Sequence, residues 1–369
     1  MLKAKVQTPE FYLSVKAQGS LISTTKPPTD LEQVISLCAD SDFVITIDGG
    51  GSKTLLQVID TKDSSVAELD IDGRITKEVI VGPTNINIVG FDEARRNLEE
   101  LVKALSKTKV GSNKLALIGV EKKSVVCGLA GILSNVDKRA AIITMFGLIG
   151  IKDHQIYMGG DVDLAKLLIG EEGAILIAGT GSICFSKSAG VEKRIGGYGY
   201  VLGDEGSGFY IGKLALQAAL DDEYQHGTPF ILTDKLCELL NITSIDQAIK
   251  QFYSGGIKPP AIAKITPFVF EAAFKHNDSR CKYIIERATE ELAKHIARAV
   301  EGSSKPAFPI YLIGGLFKNE NASAFIEMIR QQVPYAHGLE FVNIADDNIA
   351  MRVILNQAKV VQAQRLEFV

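Results

Sequence analysis

Hydrophobic positions along this chain change their period several times, and each change marks an element. From Phe43 the sequence reads strand, glycine turn, strand: "TLLQVID", after Gly49-Gly50-Gly51, is a short apolar run that is β-branched at both ends. Residues 43–60 therefore form a predicted β-hairpin, with a further strand expected within "ELDIDGRITKEVIVG". "FDEARRNLEELVKAL" brings apolar residues back at helical spacing, leaving "EARRNLEE" as an exposed helix face. "SVVCGLAG" reads as a buried strand, "RAAIITMFGLI" as a helix, and "QIYMGGDVDLAKLL" as strand, turn and helix. "AILIAGTGSICFS" then repeats the opening theme, a hairpin closed by Gly-Thr-Gly-Ser. Residues 207–302 are mostly helical in pattern, "PIYLIGGLFKN" is a strand running into Gly314-Gly315, and "NIAMRVILNQAKVVQAQ" closes the chain as a helix.

Strands leading into alternating strands and helices indicate an α/β layer structure. Two glycine-turn hairpins roughly 130 residues apart suggest two domains of similar plan facing each other. The expected division is an extension over 1–41, a first domain over 42–160, and a second over 161–369 with a helical insertion. The last helix is a candidate to pack back on the first domain. Within the extension, Thr29 and Glu32 have capping-box spacing for a short helix after the Pro27-Pro28 break. No low-complexity linker separates the domains, so they should be closely coupled.

Composition narrows the class. At 369 residues, 46% hydrophobic and 23% charged, the chain suits a soluble globular protein with a sizeable core. A net charge of −4 argues against nucleic acid or an anionic membrane as the main partner, and no apolar run approaches a membrane span. The five cysteines are scattered without a C-x-x-C pair and the five histidines show no ligand spacing, which fits a reduced cytoplasm.

The candidate chemistry gathers at the glycine turns. "DGGGSKT" is not a Walker loop, because Ser52 rather than glycine precedes Lys53 and no helix follows. It still offers close-approach amides at Gly50 and Gly51, the Ser52 and Thr54 hydroxyls and the Lys53 ammonium for a phosphate. Asp48 at the strand end can hold Mg²⁺ through water, since magnesium takes few carboxylates. Gly179, Thr180 and Gly181 make a second turn of the same chemistry, and two such turns can clamp one polyphosphate. Gly314 and Gly315 are a third close-approach site, for a base or ribose. Each turn alone is equally a plain hairpin or helix start. Asp161 reads either as a helix N-cap or as a base accepting a hydroxyl proton in phosphoryl transfer. "GGYGYVLGDEGSGFYIG" crowds glycines around Asp204 and Glu205, a tight polar loop suited to chelating sugar hydroxyls.

In this order the pieces resemble N-acetylglucosamine kinases, which belong with the BadF/BcrA-type ATPases (the BadF/BadG/BcrA/BcrD group) of the actin and hexokinase superfamily. The resemblance spans about residues 43–360, and "GGYGYVLGDEGSG" is its most specific part. It implies two ribonuclease H-like domains with ATP and an amino sugar in the cleft between them. By that likeness Asp161 is the base for the sugar 6-hydroxyl, Asn85, Gly197 and Asp204 contact the sugar, and Thr180 contacts the ATP phosphates. A homodimer is usual in such families. Where animal relatives carry a serine and an asparagine near the sugar, this chain has Ala130 and Ile183, which leaves glucosamine or another amino sugar open as substrate. An ATPase activator of a partner enzyme, or a silent sugar- or nucleotide-binding protein, are the competing readings.

Overall fold

The computed structural model describes residues 30–49, 53–85, 89–111, 114–129, 136–169, 172–225, 230–303, 307–334, 338–344 and 353–354. Its first half contains helix α1 (Asp30–Asp40), strands β1 (Phe43–Gly49) and β2 (Thr54–Asp60), and four short strands, β3 (Ser65–Val66), β4 (Leu69–Ile71), β5 (Arg74–Thr76) and β6 (Val79–Val81). Then follow α2 (Phe91–Lys107), β7 (Thr108–Val110), β8 (Leu115–Ala116), β9 (Lys123–Leu129), α3 (Val136–Gly147), β10 (Ile156–Gly159) and α4 (Asp161–Lys166). The main sheet runs β10-β9-β1-β2-β3, with β6 also on β2. Strand β1 is antiparallel to β2 and parallel to β9, and β9 is parallel to β10. Strand β9 is buried along its whole length, with the apolar run Val125–Leu129 that a central parallel strand needs.

The single strand expected in "ELDIDGRITKEVIVG" is instead three. Asp72 and Gly73 both take positive φ, the pairing of a tight hairpin turn, and the Gly73 N–H donates to the Asp70 carboxylate at 2.8 Å. That turn folds β4 onto β5 in a separate small sheet with β7 and β8, so only β6 rejoins the main sheet. Helix α2 buries Ala94, Leu98, Leu101, Val102 and Leu105, while Arg95 and Glu99 pair at 2.7 Å on the exposed face.

The second half repeats the plan. Strands β11 (Gly173–Ala178), β12 (Ser182–Ser188) and β13 (Val191–Gly196) lead into helices α5 (Gly208–Gln225), α6 (Thr233–Leu240), α7 (Gln247–Tyr253), α8 (Pro259–Ala263), α9 (Thr266–Phe274) and α10 (Ser279–Val300). The half closes with β14 (Phe308–Ile313), α11 (Ala322–Gln332) and β15 (Leu339–Ile344). The sheet order is β13-β12-β11-β14-β15, with β11 antiparallel to β12 and parallel to β14, and β14 parallel to β15. In both halves a hairpin is followed by two parallel strands added on the same side. This is the α/β plan of two ribonuclease H-like sheets.

Each sheet has its own core, and a third core lies where the two meet. It buries Val34 and Leu37 of α1, Val44 of β1, Leu164 of α4, and Ile175 and Ile313 of the second sheet. Helix α1 thus packs into the fold, although the sequence assigned its segment no role. Val353 and Ile354, the described part of the closing helix, are buried in the same core. Strands β13 and β15 were not expected. Each is an outer strand of its sheet with four of its six positions half-buried or exposed, so neither carries a strong apolar signal.

Candidate active site

The first turn joins β1 to β2. Gly49 and Thr54 are partners across the hairpin, and Asp48 lies in register with Leu55 on one side and Gly128 on the other. Gly128 in turn pairs with Gly159, so Asp48 sits in one row with two strand-end glycines. Gly50, Gly51 and Ser52 lie outside the described residues; Lys53 is half-buried where β2 begins. Thr54 is fully buried, and its Oγ1 shares a 2.8 Å hydrogen bond with Oγ1 of Thr84. Thr84 precedes Asn85, so the first turn is tied by a hydroxyl pair to the "GPTN" loop. Helix α2 holds the same loop through the Asn97 Nδ2 donor, 2.7 Å from the Pro83 carbonyl. Asn85 is half-buried and its carbonyl accepts from the Val89 amide at 3.1 Å.

The second turn is seated on the start of α5. The amides of Gly208 and Phe209 donate to the carbonyls of Gly179 and Thr180 at 2.7 and 3.1 Å. Thr180 is exposed and Gly181 half-buried. The Asp204 carboxylate accepts from the Ser182 and Gly199 amides. A Cβ on Gly181 would stand 2.8 Å from its Oδ2, so only glycine admits this approach. Burial raises the Asp204 pKa above its ordinary value and the neighbouring Glu205 charge adds to the rise, while the two amides oppose it. The Ser182 hydroxyl donates to the Glu205 carbonyl at 2.6 Å. The second turn is therefore tied to the loop carrying Asp204, as the first is to the loop carrying Asn85.

Gly197 has φ +71, and a Cβ there would fall 2.4 Å from Cδ1 of Ile183, so this apolar residue fills the space beneath the bend. Ala130, paired with Ile183 in the sequence reading, lies outside the described residues. Beyond β14, Gly314 (φ +117) approaches the Ala178 carbonyl closely, bringing the Gly314-Gly315 turn beside the second glycine turn. Beneath the Asp204 loop, His295 of α10 is 5% exposed, and its Nδ1 has no hydrogen-bond partner among the described residues. Burial lowers its pKa below 6.5.

Asp161 is the first helical residue of α4, with one residue, Gly160, between it and the end of β10. The N-cap position belongs to Gly160, whose amide donates to the Asp163 carboxylate at 3.2 Å. The capping role weighed for Asp161 is thus filled by its neighbours. Because β1, β9 and β10 are parallel, Asp48 and Asp161 lie at the same C-terminal edge of the first sheet, where α/β proteins place their ligands. Gly179–Ser182 and Gly314-Gly315 occupy the matching edge of the second. Among the described residues no three histidine, cysteine or acidic side chains cluster as a metal site. The carboxylate of Asp48 beside a phosphate-type turn fits magnesium, which takes one or two carboxylates and fills its shell with phosphate oxygens and water. Cys127 and Cys184 are fully buried in separate sheets, their pKa values pushed up to about 12, so both are poor thiolate donors. Sequence reasoning missed Thr84 and His295; only the position of Thr84 next to Asn85 hinted at a role.

Comparison with known proteins places this geometry in context. Residues 45–338 match the BadF/BadG/BcrA/BcrD ATPase family. An N-acetylmuramic acid/N-acetylglucosamine kinase of Clostridium acetobutylicum is 33% identical over 289 residues, covering 76% of this chain and 87% of that protein. An N-acetyl-D-glucosamine kinase of Dictyostelium discoideum is 27% identical over 285 residues, covering 74% of this chain and 85% of that protein. Among solved structures, a proposed N-acetylglucosamine kinase from Chromobacterium violaceum superimposes with a TM-score of 0.56 at 19% identity, covering 86% of this chain and 99% of that one. The likeness in structure establishes a shared fold.

Proposed function

The chain belongs to the BadF/BadG/BcrA/BcrD ATPase family and is an ATP-dependent sugar kinase, and we propose that it phosphorylates the 6-hydroxyl of an amino sugar, N-acetylglucosamine foremost. The observation that carries this reading is the pair of ties. Each glycine turn suited to ATP phosphates is bonded to one loop suited to a sugar, through Thr54–Thr84 and through Ser182–Asp204.

In this reading Gly50, Gly51, Ser52 and Lys53 hold the phosphates from one side and Gly179, Thr180 and Gly181 from the other. Gly314 and Gly315 lie against the adenosine. Asp48 is the residue that would hold a Mg²⁺ ion, which would supply positive charge to offset that of the ATP phosphates. Asn85, Gly197 and Asp204 orient the sugar. Asp161 accepts the 6-hydroxyl proton as that oxygen bonds to the γ-phosphorus. The bond to the bridging oxygen breaks, and ADP leaves with the electron pair. Closure of the cleft excludes water, so the sugar receives the phosphoryl group. We place the enzyme in a reducing cytoplasm as a homodimer. Five free cysteines, four of them buried, support the compartment.

The test is ADP release from purified protein with Mg-ATP, with and without amino sugars and glucose, with sugar phosphate measured in the same samples. ADP formed only with sugar, and matched by sugar 6-phosphate, is the expected result. ADP formed at one rate regardless of sugar, without sugar phosphate, would replace this reading with that of an ATPase activator.

A further inference from the structure

The rim of the Asp204 loop carries a cation that the reaction above does not use. Arg194 lies in β13, opposite Phe185 of β12, and its side chain runs along the glycine bend. Nη2 donates to the Gly197 carbonyl at 2.5 Å and Nε to the Gly196 carbonyl at 3.4 Å, while the guanidinium lies 5.7 Å from the centre of the Tyr198 ring. Among the described residues no carboxylate pairs with it, and it is exposed to solvent. The adjacent Lys193 differs: its ammonium donates to the carbonyls of Arg298 and Glu301 at the end of α10. Phe185 itself lies under Lys166 of α4, the helix that begins at Asp161, with the Nζ 4.5 Å from the ring centre.

A guanidinium presents five N–H donors in one plane. Two are taken by backbone carbonyls, so the remaining donors are oriented before any ligand arrives. Such a fork matches a carboxylate, and a neutral hydroxyl or acetamide gains little from its charge. Its anchor is the Gly197 carbonyl, at the residue that contacts the acceptor sugar in the reading above, on which this step rests. We infer that Arg194 makes the acceptor site select amino sugars bearing a carboxylate substituent, with the carboxylate paired to the guanidinium at the loop rim. Tyr198, 60% exposed beside it, offers an apolar face to the carbon skeleton of that substituent.

N-acetylmuramic acid, an N-acetylglucosamine ether bearing one carboxylate, is the probe, with N-acetylglucosamine as its neutral counterpart. Wild type, Arg194→Gln and Arg194→Lys are compared for the KM of each sugar and of ATP, at low and high ionic strength, with thermal melts confirming folding. In Arg194→Gln the KM for the acidic sugar should rise about tenfold, the loss of one charge-assisted pair at a partly screened position, with the other two KM values within about twofold. Lysine should restore part of the loss, and salt should raise the acidic sugar's KM in wild type but not in Arg194→Gln. Wild type that phosphorylates the neutral sugar and not the acidic one overturns the inference and leaves the kinase reading standing. Equal losses for both sugars would make Arg194 a support of the loop, and a rise confined to ATP would assign it to the nucleotide; either overturns the inference. Phosphorylation of neither sugar overturns the kinase reading and the inference with it.

Discussion

Asp204 occupies a left-handed backbone position, φ +60, and a partly desolvated one at once. Its folded-state pKa lies above the ordinary 3.8, so the folded protein holds this proton more tightly than the unfolded chain. Stability from this group therefore falls as pH rises from 3.8 through the folded value, and at neutral pH the ionised carboxylate weakens the empty fold. Asp204→Asn keeps one acceptor for the amides and loses the charge. It should melt no lower than wild type at pH 7 while the sugar KM rises at least about tenfold, as two hydroxyl contacts to a charge weaken. A lower melting temperature would show that the carboxylate is structural. Asp161 carries no capping duty, since its helix is capped by Gly160 and Asp163. Asp161→Asn should bind an ATP analogue within about twofold of wild type, yet lose about 10²–10⁴-fold in single-turnover transfer. Thr84→Val strands the buried Thr54 hydroxyl and should lower stability by about 1–3 kcal/mol. Thr54→Val added to it should recover most of that loss, because neither hydroxyl then seeks a partner; a calorimetric double-mutant cycle measures it.

At the level of elements, His295 explains part of the glycine content of the acceptor loop. A Cβ on Gly196 would meet its Nε2 at 2.5 Å, and Leu292, one turn earlier on α10, meets a Cβ on Gly206 at 2.6 Å. Burial depresses the His295 pKa, with Arg298 acting the same way and Glu205 and Glu291 opposing. The unfolded chain thus binds the proton first, and stability is lost as pH falls below 6.5. In His295→Gln the fall in melting temperature between pH 7.5 and 5 should be smaller than in wild type. Elements of this kind divide by what the sequence can express. The two hairpins were legible because β-branched runs and glycines are local signals, and the amphipathic faces of α2 and α10 because helical spacing is local too. The three-way split of the strand after β2 turned on one Asp-Gly pair inside an otherwise continuous pattern. The ties were not legible at all: Thr54 and Thr84 are 30 residues apart, and nothing in either neighbourhood names the other.

For the whole molecule the third core matters most. It joins α1, α4 and both sheets, so the helix beginning at Asp161 is held by residues from each half. The two glycine-turn hairpins belong to different sheets, and each is already bonded to a loop of its own half, through Thr54 and through Ser182. A ligand that orders one member of such a bonded pair lowers the entropy the second ligand must remove. By linkage, the factor by which sugar tightens an ATP analogue must equal the factor by which the analogue tightens sugar. Calorimetry in both orders should give a shared factor of about 5 or more, reduced equally in both directions by Thr84→Val. An enzyme with this synergy holds ATP loosely while no acceptor is present, so fuel is not burned on water between meals of sugar.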